Sequence, residues 1–149
     1  MALLRKALIL PVNYYIIRAE VIAMSSPLLE KSLDFASEIV LYYEDFSKSH
    51  KDTTLAKQLL RSATSVGANI NEAVYGSSKA DFIAKLHIAL KETGESIYWL
   101  TLLKRTNLVT GPYDELLSLA EEIKRMLIAS INTAKGTRGK QSSQSAEPL

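Results

Sequence analysis

The sequence predicts an all-α protein, an up-and-down antiparallel four-helix bundle, and three observations lead there. Apolar residues recur at steps of three and four in four separate segments, the spacing of helices with a buried face. The breaks between those segments are short and polar, so consecutive helices are neighbours that run in opposite directions. The composition, 47% apolar and 23% charged over 149 residues, is that of a single folded, soluble domain.

The first helix is expected from Pro27, with Ser26 as its N-cap and proline in the first helical position. Leu29, Leu33, Ala36, Val40 and Tyr43 form one seam, and Phe35, Ile39, Tyr42 and Phe46 form a second beside it. Two seams make a face wider than one partner helix can cover. Residues 47–54 are polar and hold the first turn. The second helix runs from about Thr53 to Tyr75, capped by Asp52 and stopped by Gly76. Leu55, Leu59, Val66, Ile70 and Ala73 line one side of it. Its middle is unusually small, with Ser62, Ala63, Ser65, Gly67 and Ala68. A glycine inside a helix costs about 1 kcal/mol relative to alanine, which points to a close helix–helix approach.

Ser78 followed by Asp81 makes a capping box, with Asp replacing the usual Glu or Gln. It opens the longest helix, about Lys79 to Thr106. Phe82, Leu86, Ala89, Thr93, Ser96, Leu100 and Leu103 follow its seam, widened by Ile83, Leu90, Ile97 and Trp99. After a loop at residues 107–111, Pro112 starts a fourth helix that carries Asp114 and Glu115 where the helix dipole favours them. Its seam is Leu116, Ala120, Ile123, Leu127, Ser130 and Ala134. Residues 26–134 thus form the bundle domain. Residues 135–149, rich in Gly, Ser, Gln and basic side chains, are expected to be a disordered tail.

Residues 1–25 read as an extension upstream of the domain, with Met24 as an alternative start. Their longest uncharged run, residues 7–17, is short of the roughly 18–20 apolar residues a membrane span needs. Arg5-Lys6 ahead of a short apolar stretch is a weak likeness to a signal peptide, interrupted by Pro11 and without a nearby small-residue cleavage site.

Charge is unevenly placed. The net charge of +2 comes from the two ends, whereas residues 24–134 hold 12 basic and 14 acidic residues. The bundle is therefore not a basic domain, which weakens an argument for nucleic acid from overall charge. No cysteine is present, which removes disulfides, thiolate metal sites and a cysteine nucleophile. That fits a reducing compartment, and a cytoplasmic location is expected.

No cofactor, metal or catalytic site is predicted. A di-iron bundle needs a Glu-x-x-His on each of two helices. Here Glu92-x-x-Glu95 has no histidine, His87 lies five residues before Glu92, and His50 lies in a turn. Gly76-Ser77-Ser78-Lys79 lacks the spacing of a phosphate-binding loop. The informative constellation is polar instead. Arg61, Ser65, Asn69 and Glu72 share one stripe of the second helix. On the third, Lys91 and Glu95 form an i,i+4 pair, and Glu92 and Glu95 point the same way as Trp99. If the stripes face each other, Arg61 can satisfy Glu92 or Glu95. A register-setting or interface role is favoured over direct ligand binding, and Trp99 over a base or a partner is weighed against a core tryptophan. Lys79, Lys85, Lys104 and Arg105 are the candidate contacts for nucleic-acid phosphates, although Lys79 and Lys104 lie far apart along one helix.

Residues 58–73, Gln-Leu-Leu-Arg-Ser-Ala-Thr-Ser-Val-Gly-Ala-Asn-Ile-Asn-Glu-Ala, together with Ser78-x-x-Asp81-Phe82-Ile83-x-Lys85-Leu86 and Leu90-Lys91-Glu92-Thr93-Gly94-Glu95-Ser96-x-Tyr98-Trp99-Leu100, carry a family likeness. Over residues 26–133 the chain closely resembles the bacterial 23S rRNA intervening sequence proteins, themselves similar to the accessory variability protein of diversity-generating retroelements. The resemblance implies a short bundle that assembles into a homo-oligomeric ring, a pentamer by that likeness. For the retroelement relative it implies a basic barrel that binds nucleic acid and a reverse transcriptase, and the slightly acidic bundle departs from that pattern. The resulting expectation is a non-enzymatic homo-oligomeric scaffold binding RNA or a nucleoprotein partner. The alternative is a protein-interaction module without nucleic acid. No membrane and no small-molecule substrate is indicated.

Overall fold

The computed structural model describes the backbone of residues 12–136 and the side chains of residues 27–136. Four helices account for the fold: α1 (Val12–Ser49), α2 (Thr54–Val74), α3 (Lys79–Thr106) and α4 (Tyr113–Lys135). Each packs on its neighbours in sequence, α4 closes back on α1, and no backbone contact joins α1 to α3 or α2 to α4. That is the square, up-and-down bundle the periodicity predicts, without a strand among the described residues.

The core lies along the bundle axis. Its fully buried large side chains include Phe35 and Ile39 from α1, Leu59 and Ile70 from α2, Leu86 and Leu100 from α3, and Ile123 and Leu127 from α4. Burying a side chain of this kind is worth roughly 1.5–3 kcal/mol. On α3 all seven predicted seam residues are buried. On α4 the seam drifts at its end, where Ile131 is buried in place of Ser130 and Ala134.

Two expectations for α1 are corrected. The helix does not begin at Ser26 and Pro27; it runs unbroken from Val12, with Pro27 inside it. An internal proline forfeits one backbone hydrogen bond and crowds one carbonyl, but no glycine or second proline adjoins it to end the helix. Residues 12–25 of the predicted extension therefore continue α1, while residues 1–11 lie outside the described residues. Of the predicted tail, residues 137–149 also lie outside them. The second correction concerns the two seams. Leu28, Ser32, Phe35, Ile39, Tyr42 and Phe46 are buried, whereas Leu33 is 54% and Val40 46% exposed. Successive residues turn by 100° around a helix, so α2 and α4 together cover one seam fully and only part of the other, where Leu29, Ala36 and Tyr43 are half-buried and Leu33 and Val40 stay at the surface.

The small middle of α2 meets α1. A Cβ on Gly67 would stand 3.1 Å from Ser32 Oγ, and Ser32 is fully buried with its hydroxyl donated to the Leu29 carbonyl at 2.7 Å. The turns are fixed locally. Asp52 accepts from the Thr54 N–H at 2.9 Å at the start of α2; the Thr54 side chain first, and then this backbone bond, hold its carboxyl below the usual carboxylate range. Ser78 Oγ accepts from the Asp81 N–H at 3.1 Å, and Asp81 reaches the Ser77 N–H at 3.0 Å. The reciprocal half of the capping box thus falls one residue early. Asn107 ends α3 in the left-handed conformation with φ 49°, a role Asn tolerates.

Candidate functional site

The predicted polar stripes of α2 and α3 do face each other. Arg61 forms an ion pair with Glu95, and the same carboxylate oxygen accepts from the Trp99 indole N–H at 3.1 Å. Glu95 is thus taken by Arg61 and Trp99, not by Lys91, which is exposed and forms no salt bridge among the described residues. Lower on the same face Lys85 pairs with Glu72; the hydrogen bond and then the charge of Glu72 raise the lysine above its ordinary value. Beneath the ion pairs, Ser96 Oγ lies 2.9 Å from Ser62 Oγ, and Ser62 donates to the Leu59 carbonyl. Both serines are fully buried.

Ser65 and Asn69 belong to the strip but satisfy each other: Asn69 Nδ2 donates to the Ser65 carbonyl at 2.8 Å and to its hydroxyl at 3.3 Å. Glu92 is not joined to Arg61. Its Oε2 is buried without a hydrogen-bond partner, although the residue as a whole is only partly buried. Trp99 is half-buried against the core, with its ring set edge-on to Tyr98 at 5.0 Å, and Tyr98 is 60% exposed.

The four basic residues proposed for phosphate contact are not brought together. Lys85 is taken by Glu72 and Lys104 by Asp114. Lys79 and Arg105 are exposed at opposite ends of α3, about 39 Å apart at the helical rise. His87 is a surface residue whose Nε2 lies 3.0 Å from Lys135 Nζ, so the imidazole accepts from the ammonium. Among the described residues no group of three or more His, Asp or Glu side chains is placed to hold a metal ion. No helix among them is long and apolar enough to cross a membrane.

The sequence pattern of the 23S rRNA-intervening sequence protein family matches residues 25–129, a span that holds all of α2 and α3, most of α1 and α4, and the whole polar strip. The chain belongs to the 23S rRNA-intervening sequence protein family. It is also similar to a crystal structure, at 1.70 Å resolution, of a protein of unknown function from the S23 ribosomal protein family of Bacteroides thetaiotaomicron VPI-5482. The two share 44% identity with a TM-score of 0.70, over 73% of this chain and 98% of that one. No curated protein matches the sequence. For a member of the 23S rRNA-intervening sequence protein family, the geometry adds a specific point: the sequence stretches that carry the likeness are those that build the α2–α3 contact.

One concave feature has no counterpart in the sequence reading. A pocket opens where α1 ends against the α3–α4 loop, lined by Tyr42, Phe46 and His50 among others. The signal for it lies in the i, i+4, i+8 spacing of those rings, which is legible as a packing seam and not as a cavity.

Proposed function

We propose that the chain is a non-enzymatic helical scaffold that assembles with further copies of itself and presents the α2–α3 polar strip to a protein partner. The observation that carries this is the uncovered apolar flank of α1, where Leu33, Val40 and Leu41 are 54%, 46% and 60% exposed on one helix. Apolar side chains grouped this way on a small domain mark an association surface. A closed ring follows if the contact is between two different patches and the rotation closes; the family resemblance favours five copies. The solution mass tests it. The unaltered chain is expected to run as an oligomer, and Leu33→Asp with Val40→Asp as a monomer of unchanged helicity. A monomeric wild type at concentrations of tens of micromolar overturns it.

A second reading, RNA binding, draws support from the printed family name and from Lys79, Lys91 and Arg105, which carry no carboxylate partner among the described residues. It requires affinity that rises steeply as salt is lowered, because phosphate contacts release counterions. A titration with a structured RNA at several salt concentrations separates the two: a flat, weak response leaves the protein-partner scaffold alone.

A further inference from the structure

Exposed charge is divided between two diagonal helices. Every exposed Lys, Arg, Asp or Glu on α3 is basic: Lys79, Lys91, Lys104 and Arg105. On α1, from Pro27 onward, Glu30, Asp34, Glu38, Glu44 and Asp45 are exposed, against Lys48 as the one exposed base. The near-neutral total of the bundle hides this division. The two helices lie on one diagonal and make no contact with each other. Their outer faces therefore look away from each other, and a chain cannot pair its own acidic face with its own basic one.

The two faces also match in spacing. On α1, Glu30, Ser37 and Glu44 follow one another at steps of seven residues, and all three are exposed. On α3, Lys91, Tyr98 and Arg105 do the same. Seven residues are nearly two whole turns, so each set lies along one line of its helix, with its ends about 21 Å apart. Between the two glutamates of α1, the uncovered Leu33 and Val40 stand either side of Ser37. Between the two bases of α3 stands Tyr98, 60% exposed and braced edge-on against Trp99 at 5.0 Å. The charges are available: Glu30, Lys91 and Arg105 have no ion pair among the described residues, and Glu44 has only the exposed Lys48 at 3.5 Å.

We infer that the outer face of α3 is the second patch of the self-association contact, and that it receives the outer face of α1 from another copy of this chain. Tyr98 enters the gap formed by Leu33, Ser37 and Val40, as a knob enters a hole between packed helices. Lys91 and Arg105 then reach the two glutamates at the ends of that gap, in either relative direction of the helices, because both separations are 14 residues. Opposite charges at the rim fix the register and disfavour like faces meeting. The contact joins two different patches, so successive copies add head to tail, as a closed ring requires. The locked half of the bundle, α3 held on α2, supplies the rigid side of the contact. This rests on the self-association reading and names the surface that the α1 flank meets.

The test is the solution mass of the full chain by sedimentation, over a concentration series at one ionic strength. Glu30→Lys with Glu44→Lys, and separately Lys91→Glu with Arg105→Glu, are each expected to raise the concentration for half-assembly about tenfold or more, since two exposed attractions become two repulsions. All four changes in one chain exchange the two faces and leave the net charge unaltered. That fourfold variant should regain the wild-type mass, a rescue that a misfolded protein would not give. A wild-type oligomer that keeps its mass with Lys91→Glu and Arg105→Glu overturns the inference while self-association stands; a loss of RNA affinity in that variant would assign the basic face to phosphates instead. Dissociation of both double variants without rescue in the fourfold one also overturns it, because the two faces then do not meet. A monomeric wild type removes self-association and this contact together.

Discussion

Replacing Gly67 by alanine sets two effects of similar size against each other. Alanine is favoured over glycine in a helix interior by about 1 kcal/mol. Against this, the new carbon would stand 3.1 Å from Ser32 Oγ, and overpacking a filled interior costs typically about 1–3 kcal/mol. Ser32 is not free to swing aside, because it is fully buried and its hydroxyl is bonded to Leu29. The single variant is expected to be neutral to destabilising, by up to about 2 kcal/mol. Ser32→Ala removes the crowding atom, after which the nearest atom of that side chain is its Cβ at 3.7 Å, an ordinary contact. Alone, Ser32→Ala loses one local hydrogen bond, about 0.5–1.5 kcal/mol. In the double variant the helical gain at residue 67 is no longer opposed. The two changes should therefore be non-additive, with the double variant more stable than the sum by about 1–2 kcal/mol. The assay is denaturant unfolding of all four proteins by far-ultraviolet circular dichroism at one protein concentration, since self-association would couple stability to concentration. Additivity within about 0.5 kcal/mol would refute the close crossing of α1 and α2 at this level.

The tyrosine pair gives an ordered prediction. Tyr113 donates to the Val109 carbonyl, so Tyr42 is the donor between the hydroxyls. Tyr42→Phe then removes one bond at about 1 kcal/mol, while Tyr113→Phe strands the buried Tyr42 hydroxyl at about 1–3 kcal/mol; the reverse order in thermal unfolding would show the chain of donors to be wrong. Alkaline stability follows from the same group. Burial, and then the bond to Tyr113, push Tyr42 far above its ordinary 10.0. The folded state keeps a proton that the unfolded chain releases, so this contribution is complete below about pH 10 and declines above it. Tyr42→Phe should flatten that decline, and an unchanged slope in unfolding measured across the alkaline range would exclude Tyr42 as its source. Glu95→Gln removes an ion pair whose arginine is 58% exposed, and should lower stability by no more than about 1 kcal/mol. It should nonetheless shift the emission of Trp99, the sole tryptophan, because its indole N–H bonds the same carboxylate oxygen. A loss of several kcal/mol would make the strip a folding element and not a recognition surface.

Much of the bundle was legible because periodicity reports burial directly. The α3 seam from Phe82 to Leu103 needed no tertiary information: a helix flanked by two neighbours buries one stripe, and the sequence contains one. On α1 the same reasoning met two stripes and had no local rule to choose between them. The choice depends on which flanks α2 and α4 occupy, and only the packed structure reveals that Leu33 and Val40 lose. Pro27 misled for a related reason, since a proline at the start of a helix and one within it differ by what precedes them. In the polar strip, stripe spacing correctly placed Arg61 opposite Glu95, because two antiparallel helices joined by a short turn have their register largely set by the turn. It did not separate Glu95 from Glu92, three residues apart on neighbouring flanks of one helix, and it credited Lys91 with a partner that an interhelical arginine takes. The four lysine and arginine positions failed as a patch because helical rise separates residues 79 and 105 however basic they are.

The polar contacts are not spread evenly over the four interfaces, and their placement bears on what each helix is for. Between α2 and α3 they come at three levels: Arg61 with Glu95, Ser62 with Ser96, and Glu72 with Lys85. A slip of one helical turn would break all three, leaving Ser62 and Ser96 buried without each other. Such contacts add little net stability, yet they penalise every other register. Between α1 and α2 the described residues show no ion pair or side-chain hydrogen bond; a close approach at Gly67 and apolar packing hold that interface. The α2–α3 pair is therefore the half of the bundle with its geometry locked, suited to presenting a fixed pattern of side chains. The helix seated on α2 without polar locks, and tied to α4 by the Lys31–Glu122 ion pair and the Tyr42–Tyr113 hydroxyl bond, is α1, and it is the one that leaves Leu33, Val40 and Leu41 uncovered. An apolar interface within the chain and an apolar flank outside it use the same non-directional force, so burial of that flank by a second copy would tighten the seat of α1 as well. Protection of α1 amides from hydrogen exchange should accordingly rise with protein concentration, while that of the α2–α3 pair stays constant.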